Sequence, residues 1–364
     1  MARKFENELL FTNEKDFNSA AEEFTNLTQW FYEPIKNARV LFDEASGKMV
    51  VRSDKTHYLN DSGKYSLPAR AGISGRVIND LSNDDWIKVL NTCFPYMCGN
   101  MILNQLEGEV YAAHSELYSI LPVDDIFSSA RDIYKSLFPN AKFLWGTISP
   151  EFASAEYSLA NELEVVKAYE EALRTTFASD DTIVAPTIRI VTSNTSDSGA
   201  NIYPCLECKG KSGSLYTIAV GNPIKLPHRG GSTITKFREN LAGSMGMVQK
   251  SVENITRLTY IKIEHPQQCF LNIAKRLQLP KPICMEIGEE IHDLLGDDKS
   301  THARFIYLAL TRILEKVDKK TEKAQWDLTN QISRAFGLDF AQYDTKYCEW
   351  LKETNSSEQV SLFA

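Results

Sequence analysis

The sequence predicts an α+β fold with a mixed, largely antiparallel sheet, flanking helices and a helical C-terminal region. Residues 183–220 contain three runs rich in β-branched and aromatic side chains, separated by polar, glycine-containing segments, as expected for neighbouring antiparallel strands. After residue 231, apolar side chains recur every three or four residues, which indicates amphipathic helices. We therefore expect an α+β domain over residues 1–231 and a helical region over residues 232–364 packed on it.

The first half of the chain is expected to supply both helices and strands. The first 36 residues are predicted as helical, because apolar residues keep a spacing of three or four from Phe17 to Phe31 before Pro34. Three further segments complete this half: a β-hairpin at residues 38–53, a strand at residues 108–122 and an amphipathic helix at residues 123–138.

The charge balance restricts how the chain could bind nucleic acid. With 48 acidic and 40 basic residues, the net charge is −8 at pH 7. Binding by bulk charge is therefore not expected, and any such contact must come from a local basic patch. The hydrophobic fraction of 43% and the charged fraction of 24% are those of an ordinary globular protein.

Three features predict a protein of a reducing cytoplasm with no membrane contact. The N-terminal segment has no continuous apolar core, so we expect no secretory signal. No run of about 18 apolar residues occurs, so we expect no membrane span. The seven cysteines are scattered and odd in number, which indicates a reducing compartment rather than a disulfide framework.

A basic, glycine-containing turn is the first candidate for function. In "NPIKLPHRGGSTITKFRENL", residues 222–241, a strand-like run is followed by Gly230 and Gly231 and then by a helical pattern. Such a turn leaves backbone N–H groups unpaired at the positive end of the helix dipole, where phosphate or carboxylate binds. The alternative is a tight corner with a Ser232 or Thr233 cap and a solvated basic rim. Neither a Walker nor a dinucleotide-binding pattern is present, so we expect no nucleotide hydrolysis and no cofactor.

Basic and aromatic residues interleave around this turn and on the strands before it. Single-strand binders combine a basic groove with aromatic platforms, so the pattern favours nucleic acid, with Tyr203 or Phe237 stacking on bases. The candidate phosphate or nucleic-acid contacts are Arg189, Tyr203, Lys225, His228, Arg229, Gly230, Gly231, Lys236 and Arg238.

Metal binding and catalysis have weaker signals. Cys205 and Cys208 have the spacing of zinc ligands. On a strand, however, side chains three positions apart point to opposite faces. The sequence does not show whether Cys93 and Cys98 approach this pair. No metal site is predicted. The six histidines form no metallohydrolase motif, so catalytic residues cannot be assigned from spacing. An enzyme would require a site assembled from distant residues, such as His114, Asp197 and His228.

Three short elements resemble a family of phage- and plasmid-encoded proteins of unknown function. They are the Ser-Asp-x-Gly turn at Ser196–Gly199, the corner at His228–Gly230 and the Ser-x-x-Tyr strand at Ser115–Tyr118, spread over roughly residues 67–282. The resemblance implies a mobile-element origin, often alongside DNA recombination functions. It implies no established reaction and no catalytic residues.

These observations predict a phage or mobile-element protein that binds nucleic acid, with single-stranded DNA favoured and strand annealing in recombination as its setting. Two alternatives stay open. One is an interaction protein, oligomeric or directed at a host system, that uses the amphipathic run at residues 236–258, where Met245 and Met247 suit an adaptable interface. The other is the enzyme with a site assembled from distant residues.

Overall fold

The computed structural model describes residue 5 and residues 7–74, 77–174, 183–195, 198–209, 215–296, 299–317 and 321–352. Its helices and strands confirm the predicted α+β class. The strands, in chain order, are β1 (Leu9–Phe11), β2 (Thr28–Pro34), β3 (Arg39–Asp43), β4 (Lys48–Arg52), β5 (Thr56–Leu59), β6 (Asn100–Leu106), β7 (Glu109–Ser115), β8 (Lys142–Ile148), β9 (Ala153–Ser158), β10 (Ile183–Thr192), β11 (Ala200–Lys209), β12 (Leu215–Ala219), β13 (Ile224–Leu226), β14 (Lys262–Ile263) and β15 (Thr301–His302).

Helices alternate with the strands from α1 onward and dominate the end of the chain. In chain order they are α1 (Glu14–Leu27), α2 (Asp61–Ser66), α3 (Asn83–Cys93), α4 (Val123–Leu137), α5 (Leu163–Arg174), α6 (Ile234–Ala242), α7 (Ser244–Leu258), α8 (Pro266–Arg276), α9 (Lys281–Leu295), α10 (Ala303–Lys316) and α11 (Glu322–Ser333). None of the helices that the structure describes is long and apolar enough to cross a membrane.

The described strands form two main sheets and one small pair. The first sheet has seven strands in the order β1-β8-β9-β10-β11-β12, with β13 also paired to β11, and all its pairings are antiparallel. The second sheet has six strands in the order β2-β6-β7-β5-β4-β3, in which only β5 and β7 run parallel. The remaining pair is β14 with β15.

The larger core lies between the seven-stranded sheet and the helices. On β11, Ile202, Leu206 and Cys208 point into this core, whereas Tyr203 and Cys205 point to the opposite face and pack with Trp326 of α11. This alternation follows from the two-residue period of a strand, and helices bury both faces of the sheet. This buried cluster contains residues from both sides of residue 231. The domain boundary predicted there stays a prediction.

The six-stranded sheet packs against its own helices. Trp86 and Leu90 of α3 are fully buried in a cluster that also contains Val40 of β3. Val40 lies on an edge strand, and the Asn91 side chain satisfies its backbone: Val40 N donates to Asn91 Oδ1 at 2.7 Å, and Asn91 Nδ2 donates to Val40 O at 2.8 Å. Because these two groups are already paired, an added strand could not bond to β3 at this residue.

Several predicted elements are confirmed. The hairpin is β3 and β4, with Gly47 at a φ of 69° in its turn. The amphipathic segment after residue 122 is α4, and the strand predicted before it is β7, which ends earlier, at Ser115. The three strands predicted over residues 183–220 are β10, β11 and β12, which are antiparallel neighbours.

The prediction of continuous helix over the first 36 residues is wrong. Helix α1 ends at Leu27, and β2 pairs along its whole length with β6. Leu27 and Phe31 continued the helical spacing, but the run Thr28–Tyr32 is rich in β-branched and aromatic residues, which favour a strand when a partner strand is available. Tertiary pairing therefore overrides the local period.

Close packing of two elements at Gly63 gives the first prediction. A Cβ built on Gly63 of α2 would overlap the backbone carbonyl oxygen of Val110 on β7, which cannot rotate away as a side chain could. We expect Gly63→Ala to lower the free energy of unfolding by about 2–3 kcal/mol. Urea denaturation would measure it.

The matched control is Gly246→Ala in α7, where a Cβ would meet no atom within 4 Å. Alanine at an open helical position should raise the unfolding free energy by about 0.5–1 kcal/mol. Equal effects of the two substitutions would contradict the packing of α2 on β7.

Candidate functional site

The candidate site is the turn that joins β13 to α6, and its glycines have the required backbone. Gly230 and Gly231 have φ values of +68° and +71°, in the left-handed region that favours glycine. A Cβ at either position would meet no atom within 4 Å, so conformation rather than space selects glycine there. Thr233 then caps α6, because its hydroxyl accepts a hydrogen bond from Lys236 N at 3.2 Å.

Several backbone N–H groups in this turn are open to a ligand. For Gly231, Ser232 and Thr233, no described residue accepts a hydrogen bond from the backbone N–H, whereas the N–H of Gly230 faces Leu117 O in the β-bridge between Tyr118 and Arg229. These successive N–H groups precede the N-terminus of a nine-residue helix. Successive N–H groups at left-handed positions and at a helix start make a concave site with positive partial charge, which favours an anion. We call residues 229–236 the basic corner.

The basic side chains within the corner and on either side of it are exposed. Lys225, Arg229, Lys236 and Arg238 all lie at the surface, and residues 222–238 contain no Asp or Glu. The Lys236 ammonium donates to Gly231 O at 3.2 Å, which places its charge directly over the glycine pair. Arg238 is turned toward α4, where its Nε donates to Ser129 Oγ at 3.1 Å. Arg229 and Lys236 are therefore the cations best placed for an anion at the corner.

His228 is a buried anchor of the turn rather than a surface cation. Its Nδ1 donates to Ser119 O at 3.1 Å, and its Nε2 then accepts from the Thr192 hydroxyl at 3.2 Å. Burial lowers the pKa of His228 to about 4, although the bond to Ser119 O opposes that shift. The imidazole is consequently neutral at pH 7 and contributes position rather than charge.

An aromatic stack lies directly beside the corner. The ring of Tyr118 stacks with two imidazoles, at centroid distances of 3.8 Å to His114 and 5.1 Å to His228, and with the indole of Trp30 at 5.7 Å. Tyr118 also forms an antiparallel β-bridge with Arg229. The stack therefore connects β2 and β7 of one sheet to the turn that follows β13 of the other.

Sequence reasoning missed Trp30 and did not identify Tyr118 as a site residue. Trp30 lay within a segment predicted as helix, and Tyr118 entered only through the resemblance at Ser115–Tyr118. The residue types were visible, since a Trp and a Tyr can both act as platforms for bases. Their neighbourhood was not visible, because it depends on pairings between distant strands.

Arg189 and Tyr203 come together, but inside the protein. They are register partners on β10 and β11, and each is only 2% exposed. The Arg189 guanidinium lies 4.5 Å from the ring centroid of Trp145 and 4.2 Å from that of Trp326, and its NH2 bonds to Glu322 at 3.0 Å. Both residues were predicted as nucleic-acid contacts, and their burial under α11 leaves them outside the corner. Phe237, the other predicted stacking residue, is fully buried as well.

Arg189 also compensates a buried carboxylate. Glu156 is fully buried, 3.8 Å from Arg189, and accepts hydrogen bonds from Thr187 and Thr217. Burial raises the pKa of Glu156, against the opposing effects of Arg189 and the two hydroxyls. The guanidinium, with its two indole neighbours, is therefore part of a structural network that fastens α11 to the sheet.

The distant residues considered for catalysis meet only in part. His114 and His228 both stack with the Tyr118 ring and form hydrogen bonds to other residues, and Asp197 and Ser196 lie outside the described residues. Nε2 of His114 donates to Asn194 O at 2.8 Å. The pKa of His114 is lowered to about 4, mainly by burial and to a smaller extent by His228 and Arg70, against the hydrogen bond to Asn194 O, which raises it.

The structure also shows where the cysteines lie and whether potential metal ligands are grouped. Cys205 and Cys208 belong to the buried clusters on opposite faces of β11, as the strand period requires. Among the residues that the structure describes, no three or more His, Cys, Asp and Glu side chains are grouped so that they could hold a metal ion.

A cavity of about 350 Å³ lies in the helical region, away from the basic corner. Its walls come from the start of α8, the end of α9 and the segment after α11, and its polar side chains include His265, His292 and Lys346. The described residues that line it include no Trp, Tyr or Phe, whereas the corner has an aromatic stack beside it.

Comparison of the chain with protein-family models, with curated proteins and with solved structures gave no match. Functional inference therefore rests on the geometry of the chain itself.

The burial of Arg189 predicts a stability role. Removing its charge leaves Glu156 buried without its cation, so Arg189→Met should lower the free energy of unfolding by about 3–5 kcal/mol. The matched control is Lys225→Met, where an exposed side chain is replaced and the change should stay within about 0.5 kcal/mol. Denaturant unfolding measures both, and comparable effects at the two positions would contradict the buried network.

The neutral imidazoles predict acid sensitivity. The folded-state pKa of His228, about 4, lies below the ordinary value of 6.5, so the native state binds fewer protons than the unfolded chain. The stability that this difference supplies is present above pH 6.5 and is lost as the pH falls toward 4. Between pH 7 and pH 5 the loss from His228 alone should be about 2 kcal/mol.

The measurement is the pH dependence of the unfolding free energy in His228→Asn and in His302→Asn, which changes an exposed histidine. The first variant should lose about 2 kcal/mol less than the wild type between pH 7 and pH 5, and the second should follow the wild type. A wild-type slope in His228→Asn would disprove the assignment.

Proposed function

We propose that this chain binds nucleic acid, with single-stranded DNA favoured, by holding backbone phosphates at the basic corner. One observation carries the proposal: the open N–H groups of Gly231–Thr233 lie in the chain between the exposed cations Arg229 and Lys236. A phosphate would accept hydrogen bonds from the N–H groups while the two side chains neutralise its charge. No nucleotide hydrolysis forms part of the proposal.

The chain's negative net charge agrees with a local rather than a general contact. At a net charge of −8, the surface as a whole repels a polyanion, so binding has to be confined to a region where cations are not offset by carboxylates. Within residues 222–238, which contain no Asp or Glu, Arg229 and Lys236 meet this requirement best, because Arg238 interacts with the Asp125 carboxylate of α4. The resemblance to phage- and plasmid-encoded proteins favours DNA as the ligand and a role in recombination, in the cytoplasm of a bacterial host.

The alternative of an interaction protein loses its main support. The apolar stripe of α7 that would have formed the contact surface is occupied within the chain, because Met247 and Val248 belong to the large buried core and Met245 packs against it. A homo-oligomer remains a proposal without an assigned surface.

The proposal predicts salt-dependent binding that depends on two side chains. A labelled single-stranded oligonucleotide would be titrated at several salt concentrations against wild type and Arg229→Ala/Lys236→Ala. For single strands, each neutralised phosphate contributes about 0.7 to the slope of log affinity against log salt, so the variant should lose about 1.4 of that slope. Its affinity at low salt should fall on the order of tenfold or more.

The matched control is Lys88→Ala/Lys250→Ala, which removes the same charge from exposed positions on α3 and α7. It should bind almost as the wild type does. If both double variants weaken binding equally, the contact is not at the corner. If the wild type shows no salt-dependent binding to single strands, duplex or RNA, the proposed function fails.

A further inference from the structure

We propose that Trp30 is the platform on which an unpaired base stacks when a nucleic-acid strand lies on the basic corner. The inference rests on the proposed function and extends it from phosphate contact to the class of ligand. A residue that stacks on a base face selects strands whose bases are not already stacked in a duplex.

The position of Trp30 follows from the pairing at the corner. Tyr118 forms a β-bridge with Arg229, and the Trp30 indole stacks on the Tyr118 ring at 5.7 Å with an angle of 28° between the planes. Trp30 therefore stacks directly on Tyr118, the residue whose backbone pairs with Arg229. A strand whose phosphate lies at Gly230 and Gly231 would carry its neighbouring base toward this ring.

The support beneath Trp30 is rigid, which favours stacking. Tyr118 stacks with His114 and His228, Trp30 also packs on His114 at 5.9 Å, and the two imidazoles are fixed by hydrogen bonds to Asn194 O and Ser119 O. A platform that is already ordered loses little side-chain entropy when a base is added. Because both imidazoles are neutral at pH 7, the stack adds no competing charge beside Arg229.

The indole is partly accessible, as a platform must be. Trp30 is half-buried on β2, which is an edge strand of its sheet, and a small cavity of about 30 Å³ adjoins its ring. Thr28 and Asn194 also line this cavity. The predicted stacking residues Tyr203 and Phe237, in contrast, are 2% and 0% exposed and can offer no face to a base.

The test compares two strands that share a backbone but differ in their bases. The probes are a labelled oligothymidylate and an abasic strand of the same length, so both present the same phosphates. The wild type should bind the oligothymidylate about 10- to 100-fold more tightly than the abasic strand, as expected for one stacked base. Trp30→Leu should remove this preference and leave the affinity for the abasic strand unchanged.

Two further variants guard against an effect of misfolding. Trp30→Tyr keeps an aromatic face and should keep most of the preference for bases. Tyr260→Ala removes an aromatic side chain that is 81% exposed at the end of α7 and should keep all of it. Circular dichroism and thermal melting would confirm that each variant is folded before its affinity is measured.

The outcomes separate the two levels of the proposal. If the wild type binds both strands equally, or if the preference survives Trp30→Leu, the stacking role is overturned while phosphate binding at the corner stands. If neither strand binds to the wild type, the proposed function and the stacking role fail together.

Discussion

The pairing of residues 118–119 with residues 228–229 is the interaction on which the rest of the site depends. Ser119 N donates to His228 O at 2.9 Å, and His228 Nδ1 donates back to Ser119 O, so backbone and side chain hold the same two segments together. This pairing fixes the segment that follows β7 against the turn that follows β13. It thereby joins the two sheets and sets the direction in which Arg229 and the glycine pair leave the protein.

Burial divides the basic residues of the chain into two groups with different roles. Arg189 lies inside the seven-stranded sheet, where indole rings, a serine and two carboxylates satisfy its guanidinium. Arg229 and Lys236 remain at the surface, over N–H groups that have no acceptor among the described residues. A cation that is already paired in the interior cannot be released for a ligand without exposing its partner carboxylate. Only the exposed group can therefore neutralise a phosphate.

Local signals in the sequence predicted the elements whose structure is decided locally. Gly47 marked the β3–β4 hairpin, the apolar stripe after Pro122 marked α4, and Gly230 and Gly231 marked a tight turn before a helix. The failures share one cause, which is contact between distant segments. The helical spacing of apolar residues through Phe31 could not reveal that β6 would pair with residues 28–34. The β-branched and aromatic composition of β10 and β11 could not reveal that Trp326 would cover Arg189 and Tyr203. The aromatic stack likewise brings together residues from β2, β7 and the corner.

Hydrogen–deuterium exchange of the backbone, with and without a single-stranded oligonucleotide, tests the central claim most directly because it reports on the N–H groups themselves. Bound phosphate should slow exchange at residues 229–235, where the free protein leaves these groups to solvent, and the slowing should diminish as salt is added. Slowed exchange confined to other segments, or none at saturating oligonucleotide, would contradict a phosphate site at the basic corner.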